Sequence, residues 1–267
     1  MDQATLNIAG FNIRLIFKSS ELNHLKHKFI KFVKEEFQGF LVIGVTKNPD
    51  FKIEVSYTKK IDTAFNIKDK KSYLHFYDQI SSVKIRTFYH LSAYQFGFVI
   101  RHVLQNLLSI HNGFIIHASA SNINGRACVF LGKSTAGKST AVSLLKEKYP
   151  VLADDLGVLR KQGGSYYFYQ IFSPDKYPIK KSPLGVKLSG IFFLKKSAFF
   201  KIKGIDSKED ILPEVLKQFF TQQEDLKAQA KVLMDFVNEF NNFNILYFAK
   251  NQMKLINLFS EFSNEKN

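Results

Sequence analysis

The sequence predicts an α/β fold: a mixed β-sheet core with helices, preceded by a smaller α+β lobe. Three observations carry this. Apolar residues make up 45 % of the 267 residues, enough to bury a real core. Runs with β alternation are interleaved with runs of helical period. One apolar run, "ACVFL" at 127–131, feeds a glycine-rich turn that opens straight into a helical segment.

Residues 4–18 contain "LNIAGFNIRLIF", with β-like alternation. "SSELNHLKHKFIKFVKEEF" then places Leu22, Leu25, Phe29, Phe32 and Val33 on one helical face, with Ser20 as N-cap. His24 and His27 lie on this lysine-rich helix and read as solvated, not metal-binding. "FKIEVSYT", "SYLHFY" and "VKIRTFYH" read as three more strands. Residues 1–90 are therefore expected to form the α+β lobe, whose role the sequence does not disclose.

Residues 91–111 read as a helix, stopped by Gly113. "FIIHASASNI" and "ACVFL" read as strands joined across Asn124-Gly125, a tight-hairpin signal. The glycine loop follows, then a helix ("KSTAVSLLKEK") and a strand ("PVLADDLGVLR"). A "QGG" turn leads into "SYYFYQIF", a proline-containing loop, and a buried strand "GIFFL". Helices are expected around 208–220 and 222–241, then a strand "NILYFA" and a last helix "MKLINLFSEF". The boundary falls near 90–112, giving a second domain over 91–267.

Composition excludes some classes. The single cysteine, Cys128, sits in "ACVFL" as a buried strand residue, and one cysteine makes no internal disulfide. No apolar run reaches the roughly 20 residues needed to cross a bilayer. The start, "MDQATLNIAG", has no apolar signal region. The expectation is a soluble cytoplasmic protein without membrane contact. The formal charge is +15, but only five of 38 basic residues are arginine, and the lysines are scattered. Base reading leans on the arginine fork, so this argues against nucleic acid, and an acidic partner protein is the milder reading.

The chemistry centres on Gly132–Ser139, which fits G-x-x-x-x-G-K-[ST] at every position. Glycines let backbone N–H groups turn inward around phosphate oxygens. The helix that follows presents its positive end to the anion. Gly132, Lys133, Ser134, Thr135, Ala136, Gly137, Lys138, Ser139 and Thr140 are the candidate nucleotide contacts. Lys138 would reach the β/γ-phosphates and Ser139 would ligate Mg²⁺. ATP is the expected donor, with GTP and pyrophosphate open, because such a loop reads phosphates and not bases.

The run "VLADD" ends in Asp154 and Asp155, an apolar strand closing on acid. Asp155 follows Ser139 by only 16 residues, room for one helix and a tight return. The strand feeding the loop and the strand ending in the acids should thus be near neighbours. Transporter-type ATPases place this acid much farther on, after a signature resembling LSGGQ; "KLSGIFF" at 187–193 follows the acids instead. Two adjacent carboxylates against Mg-ATP favour one as metal or water ligand and one as base. His117, 21 residues before Lys138, is expected on the strand paired with the one feeding the loop.

Together, "GFIIHASASNINGRACVFLGKSTAGKSTAVSLLKEKYPVLADD" resembles the catalytic core of HPr kinase/phosphorylase and its relatives. These have the phosphoenolpyruvate-carboxykinase-like fold and phosphorylate serine on a protein, peptide or small molecule. The resemblance covers about 113–160 strongly and 180–262 weakly. It implies a P-loop-containing mixed sheet like the HPr kinase C-terminal domain. His117 would sit near the γ-phosphate and Lys138 would stabilise the transferring phosphoryl. Ser139 and Asp154 would serve Mg²⁺, and Asp155 would be the base. Relatives are often oligomeric, which leaves a homo-oligomer open.

Two departures qualify this. The family loop carries glycine where this chain has Thr135, which a negative φ there would accommodate. The bifunctional enzymes also use a downstream glutamate and arginine, and no arginine follows Arg160. Lys180, Lys181 or Lys187 would lack the fork geometry. The expectation is a kinase acting on another serine-type hydroxyl of a peptide, protein or small molecule, without phosphorylase activity. The alternatives are an inactive nucleotide-binding regulator and a P-loop NTPase.

Overall fold

The computed structural model describes residues 2–19, 21–44, 48–60, 63–66, 71–173, 178–220 and 226–264. Among these the chain is mixed α/β, with two mixed sheets, a separate hairpin and six α-helices. It divides into two compact units, Met1–Leu107 and Leu108–Asn267.

The first unit holds β1 (Gln3–Ile8), β2 (Phe11–Phe17), α1 (Asn23–Glu36) and β3 (Phe51–Ser56). The hairpin β4 (Thr63–Asn66) and β5 (Lys71–Leu74), then β6 (Tyr77–Ser81) and β7 (Lys84–Phe88) follow, and α2 (Ala93–Ile110) begins in this unit and ends in the second. The sheet order is β1-β2-β3-β7-β6, with β2, β3 and β7 parallel and the outer pairs antiparallel. Alternation in β2 buries Phe11, Ile13, Leu15 and Phe17. Phe29 packs edge-on against Phe17 at 6.3 Å and Phe96 at 5.1 Å, joining both helices to that face. "SYLHFY" is divided between β5 and β6. The expected α1 face is kept except at its start: Leu22 is the N-cap and is exposed, Leu25 and Phe32 are half-buried, and Phe29 and Val33 are buried together with Ile30. Ser20 lies outside the described residues. His24 and His27 are exposed, as a solvated helix face requires.

In the second unit the stop after α2 is made by Asn112, which takes φ 52°. Gly113 instead opens β8 (Gly113–His117), and a Cβ there would sit 2.5 Å from Leu108 Cδ2. The residue expected to turn the helix is needed for close packing.

Then come β9 (Ser119–Ile123), β10 (Arg126–Leu131), α3 (Lys138–Leu145), β11 (Val151–Ala153), β12 (Leu156–Gln162) and β13 (Ser165–Gln170). The chain continues through β14 (Val186–Lys196), β15 (Lys201–Ile205), α4 (Lys208–Leu216) and β16 (Phe219–Phe220). It ends with α5 (Leu226–Glu239), β17 (Phe243–Phe248) and α6 (Gln252–Asn264). The sheet runs β11-β9-β10-β14-β13-β12-β8-β16, with β17 also pairing β14 and carrying β15. Only β10·β14 and β14·β17 are parallel among the described pairs of this sheet. β15 and β16 were not expected: β15 is a lysine-bearing outer strand and β16 has two residues.

β10 explains its continuous apolar run. Ala127, Val129 and Leu131 face a core shared with α4 and α5, while Cys128 and Phe130 face one shared with α3 and α6. Asn124 (φ 51°) and Gly125 (φ 81°) form the tight turn between β9 and β10.

Candidate active site

Two long antiparallel segments, 113–123 and 151–162, build the acidic half of the site. Leu156 pairs with His117, and Ala153 pairs with Ala120. Both strands are interrupted between those pairs, so Ala118-Ser119 faces Asp154-Asp155. The expected single strands "FIIHASASNI" and "PVLADDLGVLR" are thus each two strands, broken at the same place. Ala118 N–H donates to the Asp155 carbonyl at 3.0 Å, which holds the break closed.

Cross-strand position then sets the partners. His117 Nε2 lies 3.1 Å from Asp155 Oδ1, with both side chains about half exposed. Ser119 Oγ lies 3.0 Å from Asp154 Oδ1 and 3.1 Å from the Asp154 carbonyl oxygen. Its single proton serves one of these at a time. Ser119 is fully buried and Asp154 is 5 % exposed. Asp154 Oδ2 is shut from solvent and has no hydrogen-bond partner among the described residues. The adjacent acids are therefore different groups: Asp155 is accessible and paired with an imidazole, while Asp154 is buried and anchored by a hydroxyl.

The basic half comes from β10, the loop after it and α3. Gly137 caps α3 at φ 108°, and a Cβ there would lie 3.0 Å from the Phe248 ring. Both facts demand glycine. With glycine at that position, the α3 N-terminus has no side-chain cap. Lys138 is 8 % exposed, and its Nζ donates to the Gly132 carbonyl at 2.7 Å.

These halves meet in a cleft of about 440 Å³, lined by His117, Asp154, Asp155 and the loop residues Lys133, Ser134, Thr135, Gly137, Lys138, Ser139 and Thr140. Two of the expected loop contacts are not among the lining. Gly132 gives its carbonyl to Lys138, and Ala136 packs against the core shared by α3 and α6.

Two expectations are corrected. His117 is not on the strand paired with β10: it ends β8, which pairs with β12 and β16, and β9 pairs β10 from Ser119 onward. The strand of the acids and β10 are near neighbours, as expected, with β9 between them because the Asn124-Gly125 hairpin places β9 beside β10. Thr135 has φ 70°, so the glycine-type conformation is kept without glycine. Ser119 escaped the sequence reading. Its signal was register: a hydroxyl lying opposite Asp154 once the two segments are paired.

No family model and no curated protein matches the sequence. The solved structure of an HPr(Ser) kinase/phosphatase from Coxiella burnetii is similar over 57 % of this chain and 97 % of its own, at 11 % identity and TM-score 0.33. So loose a likeness carries no weight for the site, which stands on its own residues.

Proposed function

We propose that the protein is an ATP-dependent kinase that transfers the γ-phosphate to a serine-type hydroxyl of a peptide, protein or small molecule. One observation carries this reading: a helix-opening glycine loop with Lys138 shares one cleft with a carboxylate–imidazole pair, Asp155–His117. A loop alone would bind phosphate. The accessible Asp155 beside it supplies a base where an acceptor would sit.

The acceptor oxygen attacks the γ-phosphorus, the new O–P bond forms, and the bond to the β-phosphate oxygen breaks. The acceptor proton passes to Asp155, which His117 orients, and the nucleoside diphosphate leaves. Lys138 exchanges the Gly132 carbonyl for phosphate oxygens and offsets their growing charge. The loop and the α3 N-terminus hold the remaining phosphates.

The residues suit Mg²⁺. It prefers few protein oxygens plus phosphates and water, and Asp154 offers a buried oxygen without a partner among the described residues, with Ser139 in the same cleft. No group of three or more His, Cys, Asp or Glu that could hold a metal exists among the described residues, so such an ion would be shared with the nucleotide. When bound, Mg²⁺ neutralises phosphate charge.

Purified protein with Mg²⁺ and γ-labelled ATP, with and without extract of its source cells, tests the reading. Label is expected on a peptide, protein or free serine, and is expected to vanish in Lys138→Ala and Asp155→Asn. Transfer at the wild-type level in Asp155→Asn would refute it. The positive φ of Thr135, with no arginine after Arg160, favours a second reading: a regulator that binds nucleotide without transfer. Tight binding with no turnover for any acceptor would support that one instead.

A further inference from the structure

A second cavity in the Leu108–Asn267 unit measures about 910 Å³. Its lining is mainly apolar, including Val151, Leu152, Phe168, Ile179, Leu184 and Val186. Lys180 and Lys187 also line it; both are exposed, and neither makes an ion pair among the described residues. Glu147 is the sole acid in the described lining. The walls are tied together. Gln170, 4 % exposed, donates from Nε2 to the carbonyls of Leu152 at 2.8 Å and Lys180 at 3.2 Å. Its Oε1 accepts from Ser182 N–H at 2.8 Å. The groove is thus braced to the strand that delivers the acids. Leu152 lines the groove and Asp155 lines the cleft, three residues on, so their Cα atoms lie within about 11 Å.

We propose that this groove seats the acceptor as an extended peptide segment with an apolar anchor and acidic neighbours. The anchor enters among Leu152, Phe168 and Val186. The acidic side chains meet Lys180 and Lys187. The serine, roughly three residues from the anchor at about 3.3 Å per residue, reaches Asp155. The cavity's size fits a side chain with its flanking residues better than free serine, and Lys180 and Lys187, without ion-pair partners among the described residues, select acidic over basic sequence. The inference rests on the kinase reading of the cleft.

Three fluorescein-labelled peptide pools, each with one fixed serine, test it by anisotropy on the full chain. The first has Leu or Phe three residues from the serine on either side and Asp or Glu elsewhere. The second replaces the acids by Lys and Arg. The third replaces the anchor by Gly. The first pool is expected to bind about tenfold tighter than the third, from the buried anchor. It is expected to bind about fivefold tighter than the second, from two exposed ion pairs. The double variant Lys180→Glu, Lys187→Glu should reverse the charge preference. Leu184→Glu, at a position 75 % exposed and so safe for folding, should shrink the margin of the first pool over the third. Equal binding of the first two pools, or a preference unmoved by both variants, overturns the groove. Label transfer to the same pools separates the readings: a bound but unlabelled first pool sinks the kinase, and labelled free serine with no pool bound sinks the groove.

Discussion

Ser119→Ala tests how the two acids are told apart. The substitution removes one hydroxyl from a fully buried position directly across from Asp154 and leaves the backbone pairing intact. A hydrogen bond to a charged group contributes about 1.5–3 kcal/mol, and Asp154 Oδ1 would lose the one that fixes it. If that bond aims Asp154 at a metal ion, the Mg²⁺ concentration giving half-maximal turnover should rise about 10- to 100-fold, at 1.36 kcal/mol per decade. On the proposed kinase reading, nucleotide binding without Mg²⁺ rests on Lys138 and the loop, and should stay at the wild-type level. Titration calorimetry of ATP at stepped Mg²⁺, beside turnover at each step, separates the two. A Mg²⁺ dependence identical to wild type, in a folded variant, would show that Asp154 does not serve the ion.

Three further outcomes follow from packing and charge. Thr135→Gly relieves a β-branched residue at φ 70° and should raise stability by about 1 kcal/mol in urea melts, after the entropic cost of glycine. No gain would mean the loop holds that conformation without strain. Gly157→Ala would place a Cβ 2.1 Å from Cζ of Phe168, a ring that is 1 % exposed and would have to shift. It should cost about 1–3 kcal/mol, and a neutral thermal melt would contradict the packing. Glu54 is buried and faces Lys84 at 2.8 Å and Lys18 at 3.2 Å. The Lys84 hydrogen bond holds its carboxyl below the ordinary value of 4.5, with Lys18 assisting and burial opposing. A depressed folded pKa means this stabilisation is complete above about pH 4.5 and fades as pH falls through the lower folded value. Glu54→Gln should therefore lose about 1–3 kcal/mol at pH 7 and approach wild type once the pH falls below that lowered value. A gap independent of pH would assign the loss to packing.

The sequence showed most of the strands and helices, because their burial follows period. β2 alternates and buries one face; β10 is apolar throughout and is buried on both. It did not show β15, whose lysines mask its alternation, nor the stop of α2 at Asn112, because glycine is the usual signal and Gly113 is used for packing.

The cleft was legible in part for the same reason. The glycine loop and Asp154-Asp155 are local patterns, and local patterns depend on neighbours along the chain. What sequence by itself determined is the loop, the helix that follows it, and the supply of a lysine, a hydroxyl and two acids close together. Only the tertiary structure decided which acid is buried against a hydroxyl and which is accessible beside an imidazole. That choice comes from pairing residues 113–123 against 151–162, where register brings His117 to Asp155 and Ser119 to Asp154. Register is a non-local property set by the packing of the whole sheet, and a shift of one residue would have exchanged the faces.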